Sequence, residues 1–525
     1  MSPLVILICI AIYFGILLLI SKFTSKNADN DSYFVGNRQS SWILVSFGLI
    51  AESLSGVTYI SVPGMVGTSH FSYLQLVFGY FLGYMVISYV LLPIYYNMQL
   101  TSIYEYLRNR FGIISQRTGS FFFLLSRLFG SAARLYLAAI VMQTFLFDPL
   151  GIPFSVAVTI IIALMLAYTY KGGIKTIVYT DILQASLLLL GAIITVIFII
   201  NDLDLSLSEA VASIYQSEYS NTFFWDYREA NFFGKQFIGG MFIAIAMTGL
   251  DQNMMQKNLS CRSLKDAQKN INLFSIVVIF VNLLFLSLGV LLYLFIDQNG
   301  IAALAMTDEL YPMLAFNHLG FWAALVFIIG LSAATFSSAD SVLTALTTAF
   351  YIDFLQKDET KEDEHTLKRK RYIIHFFFAV LLLLVILGIR ALNQKAIIDL
   401  VFLLAGYTYG PLLGLFFIGI FTKLQIRDKW VPIIAVVSPM VGHSLKTVLN
   451  QPALQQLVDT GSINLYNQWM YQLGQWISSV SGYPLDYKIG NELILINGII
   501  MALGLMILSK KNTNGKSKIQ NQETL

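Results

Sequence analysis

Charge is what this sequence has least of. Asp, Glu, Lys and Arg make up 12% of its 525 residues, where a soluble chain carries about 25%. Cysteine is nearly absent: Cys9 lies in an apolar stretch and Cys261 in a basic loop, a pair that offers neither a disulfide framework nor metal-ligand spacing. The five histidines accompany no nucleophile–base motif, which argues against an intramembrane enzyme. No basic domain is present, so nucleic acid is excluded as a partner, and the net charge of +3 is uninformative. No kinase or receiver segment would make the chain a sensor, no segment advertises an obligatory protein partner, and no polar stretch is long enough for a soluble enzyme module.

What is there is apolar. Hydrophobic residues are 56% of the chain and the mean hydropathy is +0.68. Thirteen apolar stretches of roughly 20 residues can be marked out, each long enough to cross a hydrocarbon core of about 30 Å. The first, Pro3 to Ile20, has no basic leader and no small-x-small cleavage site, so it reads as a retained helix. The others run approximately 42–66, 71–96, 118–147, 154–170, 178–201, 232–253, 271–297, 319–352, 372–391, 397–422, 430–449 and 490–509. The prediction is an all-α polytopic membrane protein lodged in the bilayer of the cell membrane.

Lys and Arg orient it. Alternate loops hold 25 of the 33 basic residues, from Lys22, Lys26 and Arg38 through Lys257, Arg262, Lys265 and Lys269 to Lys510, Lys511, Lys516 and Lys518. Six stand on the opposite side, and Arg127 and Arg134 lie inside the fourth span. The positive-inside rule places the N-terminus outside and the C-terminus inside, with an odd number of helices. The longer connections, 202–231 and 450–489, then lie outside, and Trp469, Tyr471 and Trp476 of the second suit a membrane interface. No repeat is visible in the letters.

Ionisable and hydroxyl groups at membrane depth are expensive and mark functional positions. The second span carries Glu52, Ser53, Ser55, Gly56 and Thr58, followed by Pro63-Gly64; an unwound stretch here would free backbone carbonyls to ligate a cation, and a plain kink on small residues is the alternative. The ninth span aligns Ser337, Asp340, Ser341 and Thr344 on one face, a stripe of oxygens suited to a hard cation such as Na⁺. Asp181 opens the sixth span, where an N-cap or rim position is the alternative. Arg127 and Arg134, seven residues apart, share a face, and a salt bridge to Glu52 or another buried acid is the alternative to a ligand contact. Asp251, Asp399 and His443 fall near span ends and read as solvated.

Several strings together resemble the sodium:solute symporter family. Leu100-Thr-Ser-Ile-Tyr-Glu-Tyr-Leu-Arg-Asn-Arg-Phe111 looks like its segment after the third helix, and Gly172-Gly-Ile with Thr180-Asp-Ile-Leu-Gln184 looks like its "GGI…TD-x-x-Q" signature. Gln256-Lys-Asn-Leu259 resembles its "Q-R-x-L" loop, and Ala334-Thr-Phe-Ser-Ser-Ala-Asp-Ser341 its ion-binding helix. The resemblance implies a LeuT-type fold of two inverted five-helix repeats, over 42–201 and 232–422. An accessory first helix (1–21), two peripheral helices (430–509) and a cytoplasmic tail (510–525) would lie outside that core. Spans two and seven would be broken, the latter near Gly239-Gly240 or Thr248-Gly249, with solute bound between the repeats.

The same resemblance implies alternating-access symport of Na⁺ with a small organic solute. Its main sodium site falls on the carbonyls of Ala51, Leu54 and Ala334 and the hydroxyls of Ser337 and Ser338. A second would use Asp181, Asp340 and Ser341. Substrate-facing positions fall on Ser53, Ser55, Thr58 and Tyr73, with Arg127 and Arg134 as candidates for an acid, and with Glu52 and Gly56 as structural or gating residues. Sialic-acid members have a glutamine where Val77 stands and an arginine near Gly130. Two solute classes stay open: an anion such as a monocarboxylate or acidic sugar, or a neutral sugar or polyol.

Overall fold

An apolar chain in lipid must close its own backbone hydrogen bonds. In the computed structural model, which describes residues 3–26, 29–302, 306–355, 363–392 and 397–509, helices do this. Among the described residues the only β pairing is three isolated bridges. The expected tail, 510–525, lies outside the described residues.

The first half of the chain forms α1 (Pro3–Thr24), α2 (Trp42–Ser53), α3 (Gly56–Ser69), α4 (Ser72–Val86), α5 (Ile113–Met142), α6 (Phe154–Thr169) and α7 (Gly173–Asp202). The second forms α8 (Phe233–Ala244), α9 (Gln252–Leu259), α10 (Leu264–Gln298), α11 (Gly320–Phe350), α12 (Glu364–Leu392), α13 (Ile397–Phe421), α14 (Val431–Leu449) and α15 (Leu493–Ile507). Nine described helices are long and apolar enough to cross a membrane, and counting two bent pairs as single spans gives eleven. The expected thirteen are not reached on length. At 16 and 15 residues, α6 and α15 reach only about 24 Å at 1.5 Å per residue, short of the hydrocarbon core. The protein is an all-helical, multi-pass membrane protein.

The two bends set the interior. α2 and α3 meet at 54°, and α8 meets α9 at 63° after a π-helical turn at Ile245–Gly249. At the first bend Ser55 is extended (φ −76°, ψ 174°) and Gly56 starts the next helix. Pro63 and Gly64, expected to weaken the span, are instead accommodated inside α3, where a Cβ on Gly64 would stand 2.1 Å from the Thr307 carbonyl oxygen. Likewise Gly239-Gly240 stays in regular helix, and the second bend follows Thr248-Gly249.

Helix pairs approach through small residues, since lipid offers no hydrophobic drive between helices. α8 packs along α4, and Cβ atoms on Gly79 and Gly240 would each fall 2.1 Å from a backbone oxygen of the facing helix, Phe237 and Leu76 respectively. α7 packs along α11, with Gly191 and Gly330 both against the Tyr59 ring. These contacts bring α2, α5, α7, α9 and α11 around one polar centre.

Candidate functional site

A helix that stops leaves its last carbonyls without intrahelical donors. α2 stops at Ser53, and the residues around its end, Ala51 and Leu54, are buried against α11. Across from them Ala334, Ser337 and Ser338 are buried on α11. Ser338 Oγ donates to the Thr335 carbonyl at 3.1 Å, and Ser337 Oγ donates to Asp181 Oδ1 at 3.1 Å. Both hydroxyl oxygens keep lone pairs for a cation. The five residues of the expected main sodium site thus lie on two packed helices with one helix end among them.

The expected second set is divided among different partners. Asp181 is inside α7 and fully buried, not at a cap or rim; it faces Ser337 and a lysine. Asp340 instead accepts from Tyr168 Oη at 2.7 Å. Ser341 Oγ contacts Glu52 and the Ser337 carbonyl.

Glu52 is the hub of a buried ionic network. Arg127 on α5 stands 3.5 Å from Glu52 Oε1 and 2.5 Å from Asp251 Oδ2. Tyr409 on α13 donates to the same Asp251 oxygen, and Asn253 Nδ2 donates to Glu52 Oε1 at 2.7 Å. Lys257 Nζ lies 2.8 Å from Asp181 Oδ2 and 3.5 Å from Glu52 Oε2. Two residues expected in solvent are therefore interior. Asp251 caps α9, accepting from the Met254 N–H at 3.0 Å, and Lys257 is fully buried rather than part of a basic loop. The 63° bend turns α9 inward and carries both with it. The sequence signal was there: Asn253 and Lys257 are four apart on a short helix and share a face. His443 fits its expected exposure and hydrogen-bonds Tyr407 Oη at 2.7 Å.

The two arginines part company. Arg127 is spent on two carboxylates. Arg134, two turns on, makes no side-chain hydrogen bond or ion pair among the described residues, and it lines a cleft between α3, α4, α5 and α8. Ser53, Ser55, Thr58, Tyr73 and Glu52 line the same cleft, joined by Thr248 of the second bend and by Tyr80, Tyr84 and Asn282, three residues that no motif in the sequence marks. Val77, by contrast, is buried in α4. Gly56 backs the wall, where a Cβ would stand 2.9 Å from Thr335 Oγ1. The lining is that of a small-molecule site: apolar walls with a few convergent polar groups.

The motif after α4 holds the second bend in place. Tyr95, Tyr96 and Tyr104 donate to the carbonyls of Gly249, Asn258 and Leu250 at 2.9, 2.8 and 2.9 Å. Gln252 bridges the Ile103 N–H and the Thr101 carbonyl, and Glu105 accepts from the N–H groups of Thr101 and Ser102 at 3.0 Å each. The Gly172-Gly173 pair acts similarly at the start of α7. Gly173 has φ +51°, and Tyr33 packs where its Cβ would be, 2.5 Å away, so only glycine fits.

Comparison with known proteins agrees with this architecture. The chain is 25% identical over 452 residues to the sodium/sialic acid symporter of Proteus mirabilis, covering 82% of this chain and 89% of that one. It is 26% identical over 403 residues to sodium-coupled monocarboxylate transporter 1 of Homo sapiens, covering 74% and 64%. The solved substrate-bound, outward-open structure of a Na⁺-coupled sialic acid symporter superposes with a TM-score of 0.76 at 20% identity, over 96% of this chain and 98% of that one. The model of the sodium:solute symporter family matches residues 33–426, and the chain belongs to that family.

Proposed function

We propose that this protein is a secondary active transporter that couples inward Na⁺ flow to uptake of a small organic anion across the cell membrane. One observation carries the choice of an anion. Arg134 presents a guanidinium to the cleft with no acidic partner among the described residues, while its neighbour Arg127 is held by Glu52 and Asp251. A guanidinium matches a carboxylate in charge and fork geometry. Ser53, Ser55, Thr58 and Tyr73 supply hydroxyls for the rest of the solute. Relatives named for sialic acid and for monocarboxylates support the reading.

Sodium binds at Ala51, Leu54, Ala334, Ser337 and Ser338. It favours the outward-open state only through tighter binding to that state than to the inward-open one. Because the same bend of α2 and α3 carries both sodium carbonyls and the cleft residues Ser53 and Ser55, an ion there stiffens the wall that the solute touches. Thirteen spans follow if α6 and α15 cross where the bilayer thins locally. The lysine and arginine pattern then puts the N-terminus outside and the C-terminus inside, with inverted repeats over 42–201 and 232–422.

Arg134→Gln tests the anion. Loss of a charged hydrogen-bonding contact costs about 1.5–3 kcal/mol, a rise of roughly ten- to hundredfold in half-saturating solute. Normal surface expression with selectively lost uptake of acids is the expected result. Collapse of expression, or unchanged uptake of acids, makes a neutral sugar or polyol the better reading.

A further inference from the structure

We propose that the Lys257 ammonium is a built-in cation at the Asp181 position, standing where a second sodium ion would go, so that each cycle carries one Na⁺. The inference rests on the sodium-coupled reading and fixes its stoichiometry.

An ammonium has three N–H donors and no acceptor. Those of Lys257 meet three oxygens: Asp181 Oδ2 at 2.8 Å, the Gly48 carbonyl at 3.2 Å and Glu52 Oε2 at 3.5 Å. Such an all-oxygen cage with carboxylate charge is also what a hard monovalent cation needs. The other Asp181 oxygen takes the Ser337 hydroxyl at 3.1 Å, so both sides of that carboxylate are engaged.

The cage is closely packed. Gly48 leaves room for the carboxylate: a Cβ there would stand 3.0 Å from Asp181 Oδ2, with Lys257 Cδ at an ordinary contact distance of 3.7 Å. The whole stem is buried, at 0% exposure, because α9 turns inward at the bend. A sodium ion on Asp181 would put two cations against one carboxylate, a repulsion worth several kcal/mol at close range away from water. Removing the ammonium from a buried pair of acids leaves a vacancy that a free cation can fill. The main sodium residues are spared this competition, since none of Ala51, Leu54, Ala334 and Ser338 hydrogen-bonds Lys257 among the described residues.

The test needs no solute. Equilibrium binding of ²²Na⁺ to the purified full-length chain in detergent counts ions directly. The wild type should bind one Na⁺ per chain with a Hill coefficient of about 1, weakened several-fold by Ser338→Ala. Lys257→Ala should bind two Na⁺ per chain, and adding Asp181→Asn to it should return the count to one. Two Na⁺ per wild-type chain overturns the inference outright, even where Lys257→Ala does not fold. One Na⁺ of unchanged affinity in a folded Lys257→Ala overturns it too. A wild type that binds no Na⁺ overturns the sodium-coupled reading itself.

Discussion

Asp251 shows what a single buried carboxylate holds. It receives Arg127, Tyr409 and the Met254 N–H, and so ties α5, α13 and α9 together. Asp251→Ala strips Arg127 of its nearer acid and leaves a buried charge half-compensated, a loss of about 3–5 kcal/mol. Thermal unfolding of the purified protein should therefore show a large drop in Tm, with smaller loss for Asp251→Asn. An unchanged Tm for the alanine variant would mean that the pair adds nothing to the fold. Cys261 offers a second reading at this scale. Its backbone bridges Ser40, its side chain is buried, and burial pushes the thiol up to about 12. The thiolate is the reactive form, so in a Cys9→Ser background maleimide labelling should stay slow from pH 7 to pH 9, whereas an exposed thiol near pKa 8.5 accelerates steeply over that interval. Fast labelling at neutral pH would show that the α9–α10 connection opens readily.

Elements carry the next set of consequences. α4 and α8 meet backbone to backbone at Gly79 and Gly240, and α8 leads into the bend that positions Asp251 and Lys257. Gly240→Val should force the helices apart and lower both stability and transport, while Gly388→Val on α12, where a Cβ would meet nothing within 4 Å, should be tolerated. Equal behaviour of the two variants would refute the close approach. The bends also show why some of the site was readable and some was not. Hydroxyls and glycine crowded around Ser55 announced the first one, because few residue types weaken a helix. For the second, two glycine positions are compatible with a break, Gly239-Gly240 and Thr248-Gly249; the structure takes the latter, and neither string indicates the direction of the turn. A charge near the end of an apolar run looks the same whether the chain exits to water or turns back, so Asp251 and Lys257 read as solvated. Arg127 and Arg134 share a face by spacing alone; only the helices packed against that face decide which one is neutralised.

At the scale of the whole molecule, hydropathy and the basic residues marked nearly every long helix, because the bilayer leaves a chain few options. Helix count resisted the same logic at α6 and α15, whose apolar lengths fall between a buried helix and a full span. Function follows from how the pieces meet. The α2–α3 bend packs on α11 on one side and sets Ser53 and Ser55 in the cleft on the other, so an ion at the proposed site and a solute in the cleft would share one structural wall. The most direct measurement is uptake into proteoliposomes from a panel of monocarboxylates, acidic sugars and their neutral counterparts, under an inward gradient of sodium or of choline. Concentrative uptake of at least one acid is expected with sodium, little with choline, and none of its neutral counterpart. Equal uptake of that acid in sodium and choline would contradict sodium coupling.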